Sequence, residues 1–363
     1  MTEMNKRYLQ VPQGTEGVHL EEAYRHRQVT YRLFRLFSLW GYWPVETPVF
    51  DFYDIYRPLL GAEHKDVYRL IDREGDLLML RSDITLFLAK QMGLWLRDED
   101  LPTRVCYSDT ILRHQHAEDI SKNEFFQTGA ELIGKAGEKA DIEILLLLRR
   151  IFEELALTPA LHLGSHLFLT TALAECTEDE RASAVEAIRG RDRERLRTIL
   201  SARFSAQRAV LLEELFSFIG ERAEFRELLA ARSEVLRSHE LEELHYLDRL
   251  VSRMEEAGYG DGVRIDLSEV GAQPYYTGIV FQCYLTGLDA AVASGGRYDK
   301  LLSSFGRECP SVGFSFLQRK VEHLLEDGRF DPPGPAEETG RDDVIAAFRE
   351  AEKQRAQGKA VIL

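Results

Sequence analysis

The chain has 363 residues, room for two or three domains with at least one sizeable core. Hydrophobic residues make up 44% and charged residues 29%, an ordinary globular mix that excludes a disordered or fibrous chain. Sixty-one acidic residues against 46 Lys and Arg give a formal charge of -15, which disfavours a surface built to neutralise the phosphates of nucleic acid.

The first element predicted is a helix over residues 20–40. Val29, Leu33, Leu36, Phe37 and Trp40 recur at helical spacing, Glu21 and Glu22 sit in the first turn, and Gly41 is a stop. "GYWPVETPVF" follows, and the alternation of Val45, Thr47 and Val49 predicts a strand with Pro48 near its end. "DVYRLIDREGDLLMLRSD" predicts a hairpin turning at residues 73–76. Ser82 or Asp83 then caps the helix "ITLFLAKQM", ending at Gly93. A second hairpin has "RVCYSDTILRH" and "FFQTGAELIG" as its arms and "QHAEDISKNE" as its loop. In its second arm the period of two puts Gln127, Gly129 and Glu131 on one face and Phe126, Thr128, Ala130 and Leu132 on the other, so one face suits a polar ligand.

A long apolar helix over residues 140–155 precedes a strand and turn in "ALHLGSHLFL". Residues 177–235 are rich in Glu, Arg, Ala and Leu with no strand pattern, which predicts a helical insertion. A helix over 241–254 returns the chain to strands in "VRIDLSEV", "YYTGIVFQCYL", "AAVASGG" and "PSVGFSF", with helices starting near Arg297 and around Arg319. "DPPGPAEETG" has linker composition, and the residues after it are too few for an independent domain. Hairpins interleaved with helices imply an α+β fold. The organisation expected is a core in two parts, 1–174 and 239–328, split by a helical insertion at 175–238 and followed by a linker and C-terminal stub at 329–363.

No apolar run approaches the roughly 20 residues of a membrane helix, and the polar start "MTEMNKRYLQ" lacks a secretory h-region, so a cytoplasmic protein is expected. Cys106, Cys176, Cys283 and Cys309 form no CxxC pair and read as buried thiols. His162 and His166 lack a third ligand nearby and read as structural; neither a metal nor a cofactor is expected. GxGxxG and GxxxxGK[ST] are both absent.

Taken in order, "GYWPVETPVF", "LMLRSDITLFLA", "YSDTILRH", "FFQTGAELIG", "YYTGIVF", "SGGRYDKL" and "VGFSFLQR" resemble the catalytic core of histidyl-tRNA synthetase, a class II aminoacyl-tRNA synthetase, over most of residues 10–325. The resemblance implies an antiparallel six-stranded sheet flanked by helices, a homodimer through residues 41–50, and a histidine pocket. In that pocket Asp83 and Thr85 would hold the amino group, Gln127 and Glu131 would face the ligand, and Tyr275 and Tyr276 would close over the imidazole. Arg113 and Arg319 stand where the synthetase touches nucleotide phosphates. Two departures stand out: the synthetase's catalytic arginine before the tyrosines is replaced by Gly271, and its arginine-rich loop is here "HQHAEDISKNE", with Lys122 its one lysine or arginine. On this resemblance the anticodon-binding domain expected after the linker would also be reduced to a stub.

A histidine pocket without these cations resembles the ATP phosphoribosyltransferase regulatory subunits. That family is a synthetase paralogue that partners a short-form catalytic subunit in a hetero-octamer and lets histidine inhibit the first step of histidine biosynthesis. The resemblance implies no catalytic residue, no tRNA and no membrane partner. Two alternatives remain open at this stage: a catalytic fragment of the synthetase, and a synthetase-like scaffold that binds no ligand. Taken alone, Gln127 and Glu131 also fit an exposed edge strand, the tyrosines fit core aromatics, and Asp83 fits a helix cap.

Overall fold

Two ten-residue runs, Thr103–Leu112 and Glu124–Ile133, pair along their whole length, and the fold is built outward from this hairpin. The computed structural model describes residues 11–12, 14–61, 65–114, 123–271, 273–325, 328–331, 337–338, 343–359 and 361–362. Among these, the main sheet contains β1 (Trp43–Pro44), β2 (Thr103–Leu112), β3 (Glu124–Ile133), β4 (Ala160–Ser165), β5 (Ile219–Gly220), β6 (Val263–Asp266), β7 (Ile279–Tyr284), β8 (Ala293–Arg297) and β9 (Ser311–Leu317). Their order is β1-β2-β3-β9-β8-β7-β4-β6-β5.

The sheet thus has nine strands where six were expected. Six of them, β2-β3-β9-β8-β7-β4, form one contiguous antiparallel block. β1 and β6 extend it in parallel on its two sides, and β5 pairs antiparallel with β6. β1 and β5 have two residues each, too few for an alternation to announce them.

The block has two unlike faces, and that difference creates the site. One face carries Ala130, Leu132, Phe316, Phe281, Leu161 and Leu163, all buried against the helices Leu20–Leu39 and Glu138–Glu154. On the other, register sets Glu131 beside Gly313, Gly129 beside Ser315, Gly313 beside Gly296 and Ser315 beside Ser294. Small and polar side chains therefore hollow out the middle of that face. A helix, Ile84–Trp95, packs along it with its own core of Leu86, Phe87 and Met92, joined by Tyr56 stacked on Phe87 at 4.6 Å.

Other expectations shift at their edges. "GYWPVETPVF" is strand only at β1 and at Phe50–Phe52, because Pro44 and Pro48 remove donors from the ladder. Phe50–Phe52, Leu77–Leu80 and Arg69–Ile71 make a small antiparallel sheet that includes the expected first hairpin. Residues 177–235 hold the helices Glu178–Arg189, Arg193–Arg203, Ala206–Phe216 and Arg222–Arg232, but also β5. The helices expected near Arg297 and Arg319 reduce to a 3-10 turn, Leu301–Phe305, and a single turn, Gln318–Val321. Most of "QHAEDISKNE" and of "DPPGPAEETG" lies outside the described residues. Among the described residues no helix is long and apolar enough to cross a membrane.

Arg81 pins the small sheet to the large one. It is 1% exposed, and its guanidinium donates to Thr47 O and Thr47 Oγ1 at 2.8 Å and to Thr110 O at 2.7 Å, with Asp109 at 2.8 Å as its ion-pair partner. Replacing it strands several acceptors at about 1–3 kcal/mol for each that is buried. Arg81→Met is therefore expected to lower the unfolding free energy by at least about 2 kcal/mol in a urea titration; an unchanged midpoint would remove Arg81 from this role.

Candidate functional site

Glu131, at the centre of the hollow face, is 1% exposed. Its Oε1 accepts from Thr85 Oγ1 at 2.8 Å and from Tyr107 OH at 3.3 Å, and its Oε2 from Tyr298 OH at 2.6 Å. Gly313 makes room for it, since a Cβ at that position would overlap the Glu131 carboxylate. Burial, opposed by these hydroxyl donors, pushes the Glu131 carboxyl up to about 8.

Asp83 and Thr85 reach the site because the N-terminus of the helix Ile84–Trp95 points at β3. Asp83 is that helix's N-cap, accepting from Leu86 N at 3.0 Å, so the capping and cavity roles coincide. Burial raises its pKa, against the pull of the Leu86 amide, the Arg113 charge and Gln127. Gln127, 2% exposed, accepts from Ile84 N at 3.1 Å through its Oε1 and so locks β3 to the same helix end.

Tyr275 and Tyr276 lie in the loop before β7 rather than on the strand. Their rings are 5.2 Å apart and tilted by 58°, and Tyr275 meets Tyr298 edge-on at 5.9 Å. Tyr276 is wedged between two glycines: a Cβ on Gly271 would come within 2.6 Å of its Cδ2, and one on Gly296 within 2.8 Å of its Cδ1. Gly271 also has φ +79°, where a side chain is strained.

All six residues expected to hold the ligand, Asp83, Thr85, Gln127, Glu131, Tyr275 and Tyr276, line one cavity of about 100 Å³. Arg113 joins them, its guanidinium 5.7 Å from the Phe125 ring. Arg319 does not. It lies over Phe126, whose side chain points to the other face of β3, and borders a separate cavity with Glu22, Arg25 and Glu124. The two arginines paired by sequence reasoning are thus kept apart by the sheet.

Sequence reasoning missed Tyr298, Glu269, Gln273 and Gln282, which also line the cavity, and Tyr107, which supports Glu131 from β2. Tyr298 lies within "SGGRYDKL", a motif of the resemblance that did not by itself point to Glu131. The described lining holds no lysine, cysteine or histidine, and among the described residues no three His, Cys, Asp or Glu side chains are grouped to hold a metal. His162 contacts Asp266 at 2.8 Å and His166 contacts Val270 O at 2.9 Å. All four cysteines are free and buried, and burial pushes the Cys106 and Cys283 thiols up to about 12. The chemistry available is recognition of a small polar molecule with N–H donors, by two carboxyl groups, an amide and aromatic rings.

The family model described as histidyl-tRNA synthetase matches residues 14–321. The chain is 33% identical to an ATP phosphoribosyltransferase regulatory subunit of Moorella thermoacetica, over 98% of this chain and 92% of that one. It is 35% identical to the protein of the same name from Symbiobacterium thermophilum, over 97% and 90%. A solved structure of an ATP phosphoribosyltransferase regulatory subunit/histidyl-tRNA synthetase from Bacillus halodurans superposes with a TM-score of 0.85 at 25% identity, covering 98% of this chain and 92% of that one. A histidyl-tRNA synthetase from Nostoc, 20% identical with a TM-score of 0.76 over 97% and 85%, shares the fold. On this evidence the chain belongs to the ATP phosphoribosyltransferase regulatory subunit family, built on the class II histidyl-tRNA synthetase fold.

Proposed function

We propose that the cavity binds free histidine and that the chain, without catalysing a reaction itself, confers histidine control on a short-form ATP phosphoribosyltransferase, the first enzyme of histidine biosynthesis. The observation that carries this reading is Glu131: a buried carboxyl facing a cavity that also holds Asp83, Gln127 and two tyrosines. In this arrangement Glu131 and Gln127 take the imidazole, Asp83 and Thr85 take the amino group, and Tyr275 and Tyr276 cover the ring. Arg113 is the remnant of a nucleotide-phosphate contact; Arg319, on the far face, has no part in the cavity. The working unit is the split core 1–174 and 239–328, with 175–238 as the insertion, in a cytoplasmic hetero-octamer of four subunits of each kind.

Loss of synthetase chemistry and of tRNA charging belongs to the same proposal. Gly271 stands where the resemblance calls for an arginine, and Tyr276 presses against it, so the position has neither the backbone conformation nor the space for a long cation. Without preorganised cations of this kind, acyl-adenylate formation loses orders of magnitude in rate. Homodimerisation through residues 41–50 is supported by the exposed apolar side chains of Trp43, Val49 and Phe50, with Phe52 beside them.

A carboxyl raised to about 8 is mostly protonated at neutral pH, and accepting an imidazole N–H favours its ionised form. Histidine binding at pH 7 should therefore release a proton, seen as a buffer-dependent enthalpy in calorimetry, and Glu131→Gln should abolish the release and weaken binding by about 1–3 kcal/mol; unchanged affinity would place the ligand elsewhere.

With a short-form catalytic subunit, this chain should alter phosphoribosyl transfer and make it histidine-sensitive, a coupling of typically 1–3 kcal/mol. Alone it should give no histidine-dependent pyrophosphate exchange. An effect on neither rate nor histidine response, or measurable exchange, would sink the assignment. Finally, Phe50→Glu with Trp43→Glu should halve the mass of the free subunit in light scattering, whereas a mass insensitive to both would move the interface.

A further inference from the structure

Between Glu178 and Arg203 the chain carries seven arginines. Four are neutralised locally: Arg193 and Arg197 by Glu213 at 2.8 and 2.6 Å, Arg195 by Glu186 at 2.8 Å, and Arg203 by Glu180 at 2.8 Å. The other three, Arg181, Arg189 and Arg191, make no salt bridge among the described residues, and all three line one groove of about 840 Å³ between this helical segment and the core.

The carboxylates that also border the groove are largely engaged elsewhere. Asp266 accepts from Ser268 N at 2.9 Å and contacts His162, and Glu269 accepts from Gly271 N at 3.0 Å while burial raises its pKa. Glu178 remains as an acidic residue of the first helical turn. Arg189 is held by the Gly271 carbonyl at 2.6 Å, and its charge also faces the Glu269 carboxyl, whose ionised form it favours. Arg181 keeps a buried Nε without a hydrogen-bond partner. Arg191 is exposed at φ +52°, directly after Gly190, in a conformation that glycine would adopt without strain.

A structural explanation covers only part of this set. Cations near a helix C-terminus complement its dipole, which accounts for Arg189 and Arg191 at the end of Glu178–Arg189. Arg181 sits near the opposite, positive end of the same helix, where the dipole disfavours it. Three guanidinium groups around one concavity, of which Arg181 and Arg191 make no salt bridge among the described residues, in a chain of net charge -15, match the forked donors by which arginine recognises phosphate oxygens.

We propose that this groove is an anion site for a small phosphorylated molecule of the sugar-phosphate or diphosphate class, distinct from the cavity around Glu131. The two spaces share Glu269, Gly271, Gln273 and Gln282 as a common wall. The site is independent of what the Glu131 cavity binds, so it is tested in the absence of histidine.

The experiment is calorimetric titration of the full chain with inorganic pyrophosphate at two ionic strengths. Binding is expected to weaken with added salt and to fall at least about tenfold in Arg181→Gln and in Arg191→Gly. The second change also relieves the left-handed backbone, so its loss of affinity is not a folding defect. Arg195→Gln, which removes a paired arginine on the outer side, should leave binding intact. No binding to wild type, equal binding to the Arg181→Gln/Arg191→Gly double variant, an equal loss in Arg195→Gln, or a loss confined to Arg113→Gln would each overturn the site.

Discussion

A carboxyl group at the middle of the main sheet is tolerated only when its desolvation is offset by hydrogen bonds, and the architecture around Glu131 is arranged to supply them. Thr85 comes from the start of a helix, Tyr107 from β2, and Tyr298 from just beyond β8, so three separate segments converge on two oxygens. Gly313 contributes by having no side chain. A shift of register by one residue between β3 and β9 would replace Gly313 with Val312 or Phe314 beside Glu131 and close the space. The position of the cavity and the pairing of the sheet are therefore one constraint.

The same constraint explains why the helix Ile84–Trp95, lying along this face, turns its N-terminus toward β3 at this point. Its N-terminal amides need acceptors, and Asp83 and Gln127 provide them, at Leu86 N and Ile84 N. These acceptors are also the groups that face the cavity. The polar side chains of the site are held by backbone groups of rigid elements, which fixes their direction before any ligand arrives.

Much of this was legible in the sequence. Period-two alternation in "FFQTGAELIG" put Gln127 and Glu131 on one face, the cap signal before "ITLFLAKQM" narrowed the helix start to Ser82 or Asp83, and the resemblance to the synthetase pocket added Thr85. What alternation does not carry is which strand lies beside which: β3 neighbours β9, from the far end of the core, and only that pairing gives Gly313 its meaning. Tyr298 was missed for the same reason, its partner lying 167 residues away, whereas Tyr107 lies on the expected partner arm of β3, whose own alternation was not followed. Arg319 differs in the opposite direction. Motif order placed it with Arg113, but the single turn Gln318–Val321 turns it over Phe126, on the helix-covered side. The two-residue strands β1 and β5 exist through their neighbours alone and leave no local signal.

The pairing of β3 with β9 also sets an order of events during synthesis. When Glu131 leaves the ribosome, one side of β3 can already be covered by β2, but the other stays an open edge until Ser311–Leu317 has been made. The whole helical segment and the strands β4 to β8 emerge in the interval. Long-range pairing of this kind folds slowly and leaves a strand edge available to other chains meanwhile. The nascent subunit thus passes through a stage in which its most demanding buried group is still in water, and its vulnerability to aggregation and to proteases is concentrated before the last strand arrives.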